Sequence, residues 1–164
     1  MIALDIAKRC GYAFYYKETI HVSVVIGDPV QQALKVLAIL ERQNLGPVIA
    51  EDLFKFRNPN TTRNLLRRAG GIEAILLLVG HKIEYVHHAP ARSYIRAKSK
   101  EDVQTKLSMM AGFELKSDEA DAAVLLIHRL ALPLHRPIVF RRINLKELKC
   151  LSSWKVLTEL EKRP

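Results

Sequence analysis

Residues 2–7 have the sequence IALDIA and are apolar at every position except Asp5. A short apolar run of this kind predicts a buried β-strand. Aspartate is depleted in strands and is rarely buried without a partner. We therefore interpret Asp5 as a functional carboxylate, the alternative being an edge position or a hydrogen-bonded turn.

Two further strands follow this one along the chain. Residues 12–17 (YAFYYK) and 20–26 (IHVSVVI) are rich in the aromatic and β-branched side chains that strands favour. We expect Cys10–Gly11 to interrupt the chain before the second strand and Lys17–Glu18 to form the turn after it. The start of the chain is therefore predicted to be an antiparallel meander of three strands.

Helices and strands alternate after the meander. The predicted elements are a helix from Pro29 capped by Asp28, a strand at 48–51, a long helix from Asn60 or Thr61 to Val79, a strand at 82–87, a helix at 100–110 and a helix at 118–132 capped by Ser117. This order predicts an α/β fold, a mixed sheet with helices on both faces. Residues 138–143 fit a further strand and 153–162 a helix.

The composition indicates one domain that binds a polyanion. The chain has 164 residues, 49% of them apolar, and a net charge of +9 from 26 Lys and Arg against 17 Asp and Glu. Nucleic acid is the commonest polyanionic partner, the alternative being a basic surface that is merely solvated. We expect residues 1–136 to form the domain. Residues 137–164 are expected to be an extension packed on it or at a subunit interface.

The sequence also predicts a soluble cytoplasmic protein. The most apolar stretch, Ile72 to Val79, is too short to span a membrane, and the first ten residues lack a run of signal-peptide length. Cys10 and Cys150 form neither a metal motif nor a disulfide framework, which favours a reducing compartment. Association with a nucleoid, a phage-infected cell and an organelle matrix all remain open.

Two acids lie three residues apart in 117–126, SDEADAAVLL. A spacing of three on a helix places Asp118 and Asp121 about 60° apart, so both carboxylates share one face. The helix dipole alone explains acids such as Asp118 and Glu119, but it explains Asp121 less well. Glu51, which ends a predicted strand, is a further candidate for a functional carboxylate, and the adjacent Asp52 is its alternative.

Asp5, Glu51, Asp118 and Asp121 would repel one another if they converged without a cation. Such a cluster persists mainly when divalent metal occupies it. Hard oxygen ligands select Mg²⁺, for which Mn²⁺ can substitute. Two ions in such a site could activate water and stabilise the leaving oxygen in phosphodiester hydrolysis.

The motifs resemble, in order, those of the RuvC-type Holliday-junction resolvases of the ribonuclease-H-like superfamily, including phage-type relatives. The matching stretches are 3–14 (ALDIAKRCGYAF), 48–54 (VIAEDLF), 58–76 (NPNTTRNLLRRAGGIEAIL), 98–107 (KSKEDVQTKL) and 117–128 (SDEADAAVLLIH). The resemblance implies a ribonuclease-H-like fold. It also implies a crossover junction endodeoxyribonuclease of DNA recombination and repair, a homodimer that nicks four-way junctions symmetrically with Mg²⁺.

The resemblance also assigns residues. It makes Asp5, Glu51, Asp118 and Asp121 the catalytic metal ligands. It matches Phe54 to an aromatic that stacks near the junction centre, and Lys100, with Lys98 as a rival, to a basic residue near the scissile phosphate. The helix around Leu65 to Val79 matches one at a dimer interface, although core packing explains its apolar stripe equally well.

Several basic residues are candidates for phosphate contacts, which position DNA without reading its sequence. They are Lys55, Arg57, Arg63, Arg67, Arg68 and Lys98, and plain surface charge is the alternative for each. His128 is either a catalytic or phosphate-contacting residue or a packed one. His87 and His88 lack an acidic or cysteine partner at metal-ligand spacing and are interpreted as structural. The alternative functions are a nuclease acting on flaps, forks or RNA–DNA hybrids, and a non-catalytic nucleic-acid-binding scaffold.

Overall fold

The computed structural model describes residues 1–43, 45–52 and 59–144. The predicted site residues Phe54, Lys55 and Arg57, and the predicted helix at 153–162, lie outside these ranges. The elements of the described residues are β1 (Ile2–Asp5), β2 (Arg9–Tyr16), β3 (Thr19–Ile26), α1 (Pro29–Gln43), β4 (Val48–Glu51), α2 (Pro59–Leu78), β5 (Ile83–Val86), α3 (His88–Tyr94), α4 (Lys100–Ala111), α5 (Ser117–Arg129) and β6 (Val139–Arg142).

The strands form one mixed sheet in the order β5-β4-β1-β2-β3-β6. β1, β2 and β3 pair as an antiparallel meander, and β4 and β5 extend the sheet in parallel from β1. β6 pairs in parallel with β3 at the opposite edge, which confirms the strand predicted at 138–143. The α/β prediction of a meander joined by two parallel strands is therefore confirmed, with a sixth strand added.

Helices cover both faces of the sheet. α1 and α2 pack on the face that carries Ile2, Leu4 and Tyr12. α5, together with α3 and α4, packs on the other face, which carries Ala3 and Ile49. Because side chains alternate along a strand, Asp5 and Glu51 continue this second face, beneath α5.

β2 begins at Arg9 and runs through Gly11, so the predicted interruption at Cys10–Gly11 is wrong. Gly11 pairs with Asp5 on one side and Val24 on the other. A glycine inside a strand marks a close backbone approach as often as a break, and α5 is the element that approaches here. The turn predicted at Lys17–Glu18 is confirmed.

The helix starts differ in part from the prediction. Asp28 caps α1 as expected, since its Oδ1 accepts the Gln31 N–H at 2.9 Å. Ser117, expected as the cap of α5, is instead its first residue. The carboxylate of Glu119 accepts the Lys116 N–H at 2.8 Å. This hydrogen bond caps the N-terminus of α5 in place of Ser117.

Two further helix starts were not predicted. α2 begins at Pro59, before the expected Asn60 or Thr61. The sequence predicts no helix directly after the strand at 82–87, yet the stretch from His88 to Pro90 opens α3. Proline is tolerated in the first turn of a helix because N–H groups there have no helical partner, and this applies to both Pro59 and Pro90.

Candidate active site

The four predicted acids meet at one edge of the sheet. Asp5 ends β1 and Glu51 ends β4, and these parallel neighbours bring their carboxyl ends together. Asp118 and Asp121 lie in the first turns of α5, which crosses the same face. The charges of the three other carboxylates all raise the pKa of Asp5. The four acids chosen from the sequence therefore lie close together in the fold.

Gly11 determines how closely α5 approaches the sheet. A Cβ atom added to Gly11 would lie 1.8 Å from the main-chain oxygen of Asp118, inside any allowed contact. Gly11 is the register partner of Asp5 across β1 and β2. The main chain of Asp118 therefore lies against the sheet beside Asp5, and contact between backbones sets that position.

Burial and mutual repulsion change the acidity of the cluster. Burial raises the pKa of Asp5 to about 7, and the charges of Asp121, Glu51 and Asp118 add to the effect, while Lys100 opposes it. Burial also raises the pKa of Glu51, and Asp121 adds to this increase. Repulsion of this kind is what converging carboxylates experience without a metal ion.

Protein cations contact the two acids of α5. Lys100 Nζ contacts Asp121 Oδ2, and Arg9 Nε lies 3.0 Å from Asp118 Oδ2. Burial alone would raise the pKa of Asp121, but the contacts with His88 and Lys100 outweigh it and lower that pKa. Ion pairs therefore neutralise part of the cluster.

The rival lysine, Lys98, lies beside Asp102, whose pKa its charge helps to lower. Its main-chain N–H donates to the Asp102 carboxylate at 2.8 Å, at the start of α4. Ser99 caps that helix by accepting the Asp102 N–H, and Lys100 is its first residue. The capped start of α4 thus directs Lys100 toward Asp121, so the geometry favours Lys100 over Lys98.

Sequence reasoning missed three cationic or ionisable neighbours of the acids: Arg9, His88 and Arg92. The fold brings His88, which the sequence analysis interprets as structural, close to an acid, because its Nε2 lies 3.4 Å from Asp121 Oδ1. The sheet register explains the contact, since Val86, the last residue of β5, is the register partner of Glu51. Whatever follows β5 within two residues must therefore lie near the acids.

The other histidines have different surroundings. His87 Nδ1 lies 3.4 Å from the Asp52 carboxylate. His128 packs edge-on against Tyr94, with 5.7 Å between the ring centroids. For His128, this contact favours the packed alternative over a catalytic one.

The donor atoms of the site fit a hard divalent cation, although not in their present arrangement. Among the described residues, no three His, Cys, Asp or Glu side chains are placed to hold a metal ion as they stand. Asp121 Oδ1 is nevertheless buried with no hydrogen-bond partner in those residues, and Lys100 contacts its other oxygen. Carboxylate oxygens suit Mg²⁺ and Mn²⁺. Binding an ion would require Lys100 to leave Asp121 and the acids to rotate.

A basic cleft adjoins the loop that follows Asp5. It has a volume of about 490 Å³, and its lining includes Lys8, Asn64, Arg67 and Arg68. Arg67 is exposed on α2, as is Arg63 one turn before it. Two of the predicted phosphate contacts, Arg63 and Arg67, are therefore free to meet DNA.

Arg68 contributes to the cleft differently from its neighbours. Its Nη1 donates to the Gly27 oxygen at 2.7 Å and to Gln32 Oε1 at 3.2 Å. These bonds tie α2 to the start of α1. Its guanidinium therefore has a structural role.

The apolar stripe of α2 faces the core. Ala69, Ile72 and Leu76 are buried among the residues of the first sheet face. The core-packing interpretation of these three residues is confirmed, and a dimer interface on α2 stays a prediction. No helix of the described residues is both long and apolar enough to span a bilayer.

The comparisons with known proteins identify the fold. No protein-family model matches the chain, and no curated protein matches it in sequence. Its structure is similar to that of Thermus thermophilus RuvC in complex with a Holliday junction substrate, at 16% identity and a TM-score of 0.62, covering 79% of this chain and 96% of that one. It is also similar to a second Thermus thermophilus RuvC structure, at 15% identity and a TM-score of 0.56, covering 80% and 97%. The predicted RuvC-like, ribonuclease-H-like fold is confirmed.

Proposed function

We propose that this chain is a metal-dependent endonuclease that nicks four-way (Holliday) DNA junctions. The observation that carries the proposal is the meeting of Asp5, Glu51, Asp118 and Asp121 at one sheet edge, beneath α5 and beside Lys100. The fold that creates this edge is similar to that of a RuvC solved with a Holliday junction substrate. We place the activity in the cytoplasm, in recombination and repair.

The four acids would hold Mg²⁺, or Mn²⁺ in its place, as two ions in each site. When bound, the ions supply an activated water and stabilise the leaving oxygen in phosphodiester hydrolysis. Lys100, whose side chain is 46% exposed, lies at the opening of the cluster. Once displaced from Asp121, its ammonium group can stabilise charge on the scissile phosphate.

The basic surface would position the DNA. A net charge of +9 attracts the phosphate backbone from a distance. Exposed Arg63 and Arg67 on α2 would contact phosphates near the loop that follows Asp5. Lys55, Arg57 and the stacking aromatic Phe54 complete the predicted contacts. Symmetric nicks on two strands need two active sites, so we propose a homodimer.

The test is cleavage of a synthetic four-way junction with each strand end-labelled in turn. We expect symmetric nicks with Mg²⁺. Asp121→Asn should reduce the rate at least ~100-fold while junction binding is retained, because the change removes a ligand charge and little volume. Glu18→Gln is the charge-matched control, since Glu18 lies in the β2–β3 turn at the far end of the sheet.

The same assay separates the alternatives. Flaps, forks and RNA–DNA hybrids run in parallel would reveal a nuclease of the same fold with another substrate. A wild-type protein that binds the junction but never nicks it, in Mg²⁺ or Mn²⁺, would instead be a scaffold. That result would overturn the proposal.

A further inference from the structure

His88 Nε2 and Asp121 Oδ1 are buried side by side, and neither makes a hydrogen bond within the described residues. The His88 side chain is only 6% exposed, and neither ring nitrogen has a hydrogen-bond partner among the described residues. Asp121 Oδ1 also lacks one, and it lies 3.4 Å from His88 Nε2 without the alignment of a hydrogen bond. Buried polar atoms almost always have a partner, and a cation bound between these two atoms would satisfy both.

A cleft also adjoins the pair on the side of His88. His88 and Glu51 both line a cleft of about 540 Å³ beside the start of α3. His88 also lies close enough to Glu51 to oppose the rise in the pKa of that carboxyl that burial causes. The imidazole therefore lies within reach of a second carboxylate as well as Asp121.

We infer that His88 Nε2 is a metal ligand, so that the cation proposed above is held by nitrogen as well as oxygen. The inference rests on the proposed metal-dependent function, and it adds to the four acids a ligand that the resemblance does not supply. Neighbouring ligands of an octahedral ion with bonds of about 2.1 Å lie about 3 Å apart. The 3.4 Å between His88 Nε2 and Asp121 Oδ1 is close to that spacing.

A nitrogen ligand changes which ion the site prefers. Mg²⁺ takes oxygen ligands, whereas imidazole suits transition metals. His88 should therefore raise the affinity for Mn²⁺ relative to that for Mg²⁺. If His88 serves only to orient Asp121, its loss should weaken binding of both ions alike.

Pulsed electron paramagnetic resonance of the Mn²⁺-loaded protein tests the inference. We expect a ¹⁴N hyperfine coupling to Mn²⁺ in the wild type, its loss in His88→Gln and its retention in His87→Gln. His87 is the matched control because it is the adjacent residue and contacts Asp52 instead. Calorimetry should show at least a ~10-fold loss of Mn²⁺ affinity in His88→Gln and a smaller loss for Mg²⁺.

The outcomes separate this inference from the proposed function. If the wild type binds Mn²⁺ and cuts junctions without a nitrogen coupling, His88 is not a ligand and the proposed function stands. A coupling that persists in His88→Gln also overturns the inference. Absence of any Mn²⁺ or Mg²⁺ binding overturns both. A Mn²⁺-loaded wild type without a nitrogen coupling overturns the inference on its own, so that outcome does not depend on how well a variant folds.

Discussion

At the scale of single residues, Gly11 is the position where the fold tolerates no side chain. Gly11→Ala should destabilise the protein by about 3 kcal/mol, because the new methyl group would collide with the main chain of Asp118. Junction cleavage should fall as well, since the clash displaces Asp118 from Asp5. Urea denaturation and the cleavage assay measure the two effects.

Gly70→Ala provides the matched control. Gly70 lies within α2 and has nothing within 4 Å of its added Cβ. That substitution should stabilise the protein by about 0.5–1 kcal/mol, as alanine does in a helix. Equal stability of Gly11→Ala and the wild type would show that α5 does not rest on the strand as described.

Asp5 should make the metal-free protein less stable as the pH rises. Its pKa is about 7 in the folded protein against an ordinary value of 3.8. Between these values the folded state holds a proton that the unfolded state has released, so stability falls from about pH 4 to pH 7 and then levels off. The loss is at most roughly 4 kcal/mol.

The measurement is urea denaturation in a chelator at pH 5 and at pH 8. Asp5→Asn should remove most of the difference between the two pH values and should be the more stable protein at pH 8. Glu18→Gln, an exposed acid far from the cluster, should keep the wild-type dependence. An unchanged pH dependence in Asp5→Asn would mean that another group is responsible.

At the scale of elements, β6 is joined to the start of α5 by a buried ion pair. Glu119 is 1% exposed, and Arg142 donates to its carboxylate from Nε at 2.9 Å and from Nη2 at 2.7 Å. Arg142 also donates to the Glu114 oxygen at 2.6 Å and lies over the Phe113 ring. Glu119 lies between Asp118 and Asp121, so this strand supports the helix that carries two of the four acids.

Arg142→Met should cost about 2 kcal/mol, because Glu119 would keep a buried charge without its partner, although Arg142 itself is partly exposed. Cleavage should fall more than junction binding. Arg141→Met is the matched control, since Arg141 is the exposed neighbour on the same strand. Thermal unfolding and cleavage rates of both variants measure the contrast. If the two variants are equally stable, β6 does not support α5.

The sequence predicted elements where a local pattern determines the structure. The apolar run around Asp5 predicted β1, and the capped start at Asp28 predicted α1. The start of α3 and the neighbours of the acids could not be predicted in this way. His88 reaches Asp121 only because β5 lies beside β4, and Gly11 is buried under α5 only because of sheet order. Such contacts depend on the tertiary arrangement, which is not encoded in any local stretch.

At the scale of the whole molecule, the excess of positive charge should make junction binding steeply salt-dependent. Arg63→Gln and Arg67→Gln should each reduce the slope of log affinity against log salt by about 1 and weaken binding to all sequences alike. Lys17→Gln, in the turn at the opposite end of the sheet, should leave the slope unchanged. Fluorescence anisotropy over a salt series measures this. A slope that falls only in Lys17→Gln would place the DNA on the other end of the molecule.

The late place of α5 in the chain has a consequence for protein synthesis. Asp5 leaves the ribosome well before Asp121, which follows only after most of the described strands and helices have been made. At ordinary elongation rates the interval is on the order of ten seconds. During it the nascent chain contains the central strand of the sheet but not the helix that crosses it. The proposed nuclease, assembled in this order, would stay inactive until its four acids are together, so unfinished chains would not cut DNA.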